Sequence, residues 1–151
     1  MRIAVGSDHA GYDLKELIAE HLRKAGHDVD DLGTHDGVES VDYPLYGAAV
    51  GRAVAEDRAE FGFCCCGTGI GIAIAANKIP GIRAAVVHDV TTATLARQHN
   101  HANVVCIGGR TTGTCTALDS VDAFLAASPL PGRHDRRVAE LADLDVEGAT
   151  P

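Results

Sequence analysis

The chain has 151 residues, 46% of them hydrophobic, and a formal net charge of −8 from 13 Lys and Arg against 21 Asp and Glu. That length fits one domain with a full layered core, and the acidic balance argues against a nucleic-acid surface, which needs clustered cations to displace counterions. No apolar run reaches membrane-spanning length, and five cysteines without C-x-x-C spacing point to reduced thiols in the cytoplasm, not to a disulfide framework or a zinc site.

Arg2–Ser7 is an apolar run ending in Gly and Ser and predicts a buried first strand. After the loop Asp8–Gly11, Leu14, Leu17, Ile18, Leu22 and Ala25 recur at helical spacing, and Gly26 closes the helix. His27–Leu32 reads as a second, polar strand at or near a sheet edge. A polar loop from Gly33 to Asp42 leads into a helix from Tyr43 to about Glu56, with Pro44 in its first turn. Glu60–Cys65 is the third strand, and the glycine loop after it starts a helix over Ile70–Asn77. Ile82–Val87 is the fourth strand, Asp89–His99 a helix capped by Asp89, and Asn103–Ile107 the fifth strand. A helix from about Thr112 to Ala127 packs through Ala117, Leu118, Val121, Phe124 and Leu125. Pro129–Gly132 breaks it, a last helix covers 133–145, and 146–151 reads as a frayed tail.

Five strands alternating with helices predict a single domain over residues 1–151, a three-layer α/β/α sandwich around a five-stranded parallel sheet. Aromatic residues are only 4% of the chain, with no Trp, so the core must be filled by close backbone packing. In such a sheet, ligands sit beyond the carboxyl ends of the strands. Asp8–His9, Cys66–Gly67, His88–Asp89 and Gly109–Arg110 all fall there.

Cys66-Gly67-Thr68-Gly69-Ile70-Gly71 places a thiol and three alternate glycines at a strand-to-helix turn. Glycines let a ligand approach the backbone, and the first amides of a helix point at whatever sits in the loop. The spacing is not the G-x-G-x-x-G of dinucleotide sites, and no G-K-[ST] follows, so neither nucleotide motif fits. What remains is a catalytic cysteine beside an anion-stabilising cradle, or a tight turn whose glycines serve packing. Asp8–His9 fits a helix cap or a site pair, and His99 fits a site or a cation at a helix C-terminus. Arg110 and the run Arg133-His134-Asp135-Arg136-Arg137 concentrate cations in an acidic chain. Arg133 and Arg137 share a helix face, and their guanidinium forks suit a discrete phosphate; a solvated helix face is the alternative. The Pro129–Gly132 break lets that helix swing onto a neighbouring subunit.

Gly6–Gly11, Asp42–Pro44, Cys66–Gly71, Ala75–Lys78, Gly81–Ala84, Arg97–Asn100, Gly108–Arg110 and Gly132–His134 with Arg137 occur in order. Together they resemble the type B ribose-5-phosphate isomerases, a family that also holds galactose-6-phosphate isomerase subunits. The resemblance runs from Met1 to about Val138. It implies a Rossmann-like five-stranded sandwich, a homodimer or dimer of dimers with sites shared between subunits, and neither a metal nor a nucleotide cofactor.

By the same resemblance, Cys66 is the base that moves a proton between C1 and C2 of a sugar phosphate. Gly67, Gly69, Ile70 and Gly71 supply amides to the enediolate, and Thr68 assists at a hydroxyl. His99, helped by Asp8, opens the furanose ring; Asn100 and Tyr43 touch the sugar. His9, Arg110, Arg133 and Arg137 hold the phosphate, with His134 close by. Ribose 5-phosphate and ribulose 5-phosphate are the expected pair. A four-carbon substrate such as erythrulose 4-phosphate, or a six-carbon one such as allose or galactose 6-phosphate, is the alternative within the class. The Cys64-Cys65-Cys66 run supports the alternative outside it, a thiol-redox or phosphate-sensing module without activity.

Overall fold

The structure, a computed structural model, describes residues 1–147. Strands β1 (Arg2–Ser7), β2 (Asp28–Asp31), β3 (Phe61–Cys66), β4 (Ala84–Val86) and β5 (Val104–Gly108) form one parallel sheet, ordered β2-β1-β3-β5-β4. The α-helices are α1 (Tyr12–Lys24), α2 (Tyr43–Ala55), α3 (Ile70–Ala76), α4 (Val90–Asn100), α5 (Thr114–Ala126) and α6 (Arg133–Glu147). The Rossmann-like α/β/α sandwich expected from the sequence is therefore the fold observed. No described helix is long and apolar enough to cross a membrane.

Successive strand side chains point to opposite faces, and both faces are covered. Ile3, Val5, Phe63, Cys65, Val105 and Ile107 pack against α1, α4 and α5; Ala4, Cys64, Cys66, Val104 and Cys106 pack against α2 and α3. That two-sided burial is why β1, β3 and β5 read as continuous apolar runs. All three phenylalanines meet on the first face, with Phe124 edge-on to Phe61 and Phe63 at 5.4 and 5.9 Å. On the second face Ala53, Ala73 and Ala76 are buried and keep the helix backbones close to the sheet.

The differences from the sequence reading have physical causes. β4 keeps three of six expected residues, because the Ile82 N–H turns back to the Ile79 carbonyl and the Arg83 N–H bonds the Asn103 side chain. Cys66 belongs to β3 itself and pairs with Gly108. On α1 the buried face is Leu14, Lys15, Ile18, Ala19 and Leu22, while Leu17 and Ala25, both expected on it, are exposed. α6 continues to Glu147, past the expected end at 145, and the rest of the expected frayed tail lies outside the described residues. α6 packs on α4 of its own chain.

Lys15 explains the polar edge strand. Its ammonium is fully buried and donates to both Asp31 oxygens at 2.9 and 2.7 Å and to the Thr34 carbonyl at 2.9 Å. Burial pushes the Asp31 carboxyl up, but the hydrogen bonds from Lys15 and the Gly33 N–H outweigh it and hold it below the usual carboxylate range. The Thr34 N–H in turn bonds the Ser7 carbonyl. The buried pair thereby ties the loop after β2 to the end of β1.

Candidate active site

The sequence-predicted site residues fall into two clusters. The first lies at the carboxyl edge of the sheet, between β1 and β3. There α1 leaves for one face and α3 for the other, which opens a crevice between the strand ends. The Asp8 N–H donates to the Cys65 carbonyl, the Gly109 N–H to the Cys66 carbonyl and the Arg110 N–H to the Gly67 carbonyl, at 3.2, 2.8 and 3.0 Å. The loops after β1, β3 and β5 are thus laced into one platform.

Cys66 ends β3 with only 4% of its surface exposed. Gly69 adopts φ +77, the left-handed region open to glycine. That turn brings the Gly69 N–H to the Cys66 Sγ at 3.2 Å, and a hydrogen bond of this kind strengthens when the sulfur carries charge. The Ile70 N–H is spent on the Thr68 hydroxyl at 3.3 Å. Among the described residues, the N–H groups of Gly67, Thr68 and Gly71 find no acceptor. So of the amides expected to face a ligand, those of Gly69 and Ile70 are occupied within the loop, while those of Gly67 and Gly71, with that of Thr68, stay without an acceptor among the described residues.

Tyr43 lies across the start of α3, its ring so close to Gly71 that a Cβ there would sit 2.7 Å from it. The Arg110 side chain extends beside Gly67. His9 Nδ1 accepts the Val41 N–H at 3.2 Å, which leaves the ring proton of a neutral His9 on Nε2. Asp8 is buried and caps the turn His9–Gly11 through the Gly11 N–H at 3.0 Å, the helix-cap role the sequence left open. His88–Asp89 sits at this edge as a helix start: Asp89 and Thr92 form a capping box, and the Thr92 hydrogen bonds hold the Asp89 carboxyl below its usual range.

The second cluster lies at the opposite edge. α4 begins at the carboxyl edge after β4 and runs back for 11 residues, about 16 Å at 1.5 Å each. Its last turn carries His99 and Asn100. Asn100 lies beside Arg83, which precedes β4. The His99 ring stacks on His134 of α6, with centroids 4.3 Å apart and planes 11° from parallel. Burial, with the nearby His99, Arg133 and Arg137, lowers the His134 pKa, so the stacked ring is neutral over a wider range. A cleft of about 350 Å³ opens beside this cluster, lined by Asn100, Ala84, Ala85, Leu141 and Leu144 among others.

Within one chain, then, Cys66, Thr68, Asp8, His9, Tyr43, Gly67, Gly69, Ile70, Gly71 and Arg110 are grouped. His99, Asn100, Arg133, His134 and Arg137 form a separate group. Asp8 and His99, paired in the sequence reading, stand at opposite ends of the sheet. The Val41 N–H that orients His9 was missed, because a backbone donor in a polar loop leaves no mark in sequence.

Comparison with known proteins is consistent along the whole chain. The Ribose/Galactose Isomerase family model matches residues 3–141. The galactose-6-phosphate isomerase subunit LacB of Clostridium acetobutylicum is 42% identical, over 97% of this chain and 84% of its own length. The structure of ribose-5-phosphate isomerase B from Clostridium thermocellum superposes with a TM-score of 0.97 at 47% identity, covering 99% of this chain and 100% of that one. That of ribose-5-phosphate isomerase B from Mycoplasma genitalium, with bound ribulose-5-phosphate, gives 0.92 at 39% identity, covering 99% and 97%.

Proposed function

Because this chain belongs to the ribose/galactose isomerase family, we propose that it interconverts ribose 5-phosphate and ribulose 5-phosphate through an enediolate, at sites each built from two copies of the chain. One copy contributes the Cys66 platform and the other the α4–α6 cluster. The separation of the two clusters supports this arrangement, since no side chain spans an interval of about 16 Å. Each half also exposes apolar surface: Leu45, Ile70 and Ile74 near the platform, Leu141 and Leu144 at the cleft. The assembly is a homodimer or a dimer of such dimers, each chain a single domain, working in the cytoplasm.

The furanose must open before it has a carbonyl. His99 of the second copy takes the C1 hydroxyl proton and returns one to O4, giving the C1 aldehyde and a free C4 hydroxyl. Cys66 as thiolate then removes the C2 proton, and the electron pair moves through C1–C2 onto O1. The N–H groups of Gly67, Thr68 and Gly71 meet this charge; each preorganised donor is worth about 3–4 kcal/mol. Cys66 gives the proton to C1, and Thr68 relays the O2 proton to O1, leaving the C2 ketone. His9, Arg110, Arg133 and Arg137 hold the phosphate away from the reacting carbons, which fixes orientation. Tyr43 and Asn100 contact the sugar.

The observation that carries the reading is Cys66 Sγ at the end of β3, hydrogen-bonded by Gly69 and flanked by N–H groups without acceptors. A thiol-redox role has less support: burial pushes the Cys65 and Cys106 thiols well up, and a protonated thiol is a poor nucleophile. The relative named as a galactose-6-phosphate isomerase subunit supports a second reading, the same chemistry on a six-carbon substrate, and kcat/KM over four-, five- and six-carbon sugar phosphates separates the two. For the mechanism, Cys66→Ala is expected to lower turnover by about 10²–10⁴-fold while ribose 5-phosphate still binds. Near-wild-type turnover in that variant would refute it.

A further inference from the structure

We infer that Arg83 is a positioning residue for ring opening, holding the last turn of α4 so that His99 and Asn100 are presented correctly to the partner copy. The inference rests on the ring-opening role proposed for His99. A helix end leaves its final carbonyls without partners; here the Gln98 carbonyl accepts the Leu130 N–H at 2.9 Å, and the carbonyls of Asn100 and His101 are taken up by one side chain. Arg83 Nε donates to the carbonyls of Asn100 and His101 at 3.1 and 3.2 Å, and Nη2 donates to His101 at 3.1 Å. His101 has φ +48, a left-handed conformation unfavourable to any residue with a Cβ. Arg83 therefore holds the carbonyls on either side of the point where the chain turns out of the helix.

Arg83 is itself firmly seated. Its N–H bonds the Asn103 Oδ1 at 2.8 Å, and its carbonyl accepts the Asn103 N–H at 3.2 Å. The planar guanidinium reaches both carbonyls at once, which the single nitrogen of a lysine does less well. All three of its nitrogens face carbonyls, Nη1 lying 3.5 Å from that of Gly81. An arginine so engaged is a brace rather than a phosphate ligand. From the other side His99 is held by its stack on His134, so Arg83, with the Leu130 N–H on the Gln98 carbonyl, supplies the main-chain side of the support.

The chemistry offers a readout that a general structural role would not move. Ribose 5-phosphate closes through O4 and must be opened. Ribulose 5-phosphate has its carbonyl at C2 and its O5 esterified, so it cannot form a five-membered ring. Exchange of its C1 proton with solvent deuterium needs the Cys66 platform but no ring opening. The test uses full-length, assembled Arg83→Met and Arg83→Lys, with His99→Ala as control. Two rates are measured, each at saturating substrate: turnover of ribose 5-phosphate, and deuterium entry at C1 of ribulose 5-phosphate by NMR. A displacement of order 1 Å costs up to about 10²-fold. Turnover in Arg83→Met is therefore expected to fall about 10–100-fold, with exchange within about threefold of wild type and Arg83→Lys in between. Parallel loss of both rates, or loss of neither, would overturn the assignment. If Arg83→Met does not fold, the same split is read in Arg83→Lys. Unchanged turnover in His99→Ala would instead overturn the ring-opening role itself, and so be told apart from a failure of Arg83 alone.

Discussion

Gly71→Ala separates stability from activity in opposite directions. A Cβ at residue 71 would lie 2.7, 2.8 and 3.1 Å from Cζ, Cε2 and Cε1 of Tyr43. Carbon atoms settle at about 3.5–4.0 Å, so the ring must withdraw by roughly 1 Å. Tyr43 is already 40% exposed and can swing outward cheaply. Alanine is meanwhile favoured over glycine in a helix by roughly 0.5–1 kcal/mol. The variant should therefore unfold in urea at the wild-type concentration or slightly above it. Its kcat/KM for ribose 5-phosphate should fall about 10–100-fold, because Tyr43 no longer lies where the sugar needs it. Combined with Tyr43→Ala, the substitution should add nothing further, since both act through one ring. Wild-type kcat/KM in Gly71→Ala, or losses that add in the double variant, would refute the reasoning.

Asp31→Asn removes one of the two carboxylates on the buried Lys15 ammonium, leaving Glu16 Oε1 at 2.6 Å, and should cost about 1–3 kcal/mol at pH 7 in urea unfolding. The folded-state pKa of Asp31 is depressed, so its contribution is present above the unfolded value near 3.9 and is lost as pH falls through the lower folded value; the Asn variant should lack that part of the acid loss. Cys115 is the exposed cysteine, while Cys64, Cys65, Cys66 and Cys106 are buried, so iodoacetamide should label Cys115 first without loss of activity, as followed by mass spectrometry and coupled assay. Inactivation in step with Cys115 labelling would contradict the placement of the chemistry at Cys66.

The alternation of elements was legible because β1, β3 and β5 are buried on both faces and helices α1 to α5 each carry a buried stripe. The position of β5 between β3 and β4 was not, since strand order depends on which face each crossover takes. Lys15 was hidden for a different reason: in sequence it is a polar helix residue, and its ion pairs with Asp31 across the edge strand and with Glu16 are what make burial tolerable. The Cys66–Gly71 loop declared itself through glycine spacing, which reports backbone approach directly. The distance between Cys66 and His99 did not, although the direction of α4 relative to β3 implies it. A motif list preserves order along the chain and loses which edge of the sheet each residue reaches.

In the proposed arrangement the two clusters form one active site only across two copies of the chain. Cys66→Ala and His99→Asn homo-oligomers each lack one half of every site. Unfolded together and refolded, half the pairs of a symmetric dimer are mixed, and each mixed pair regains one intact site of two. Activity should then return to about a quarter of wild type. Recovery no greater than the average of the two parent variants, with mixed dimers demonstrated by mass spectrometry, would contradict the shared site.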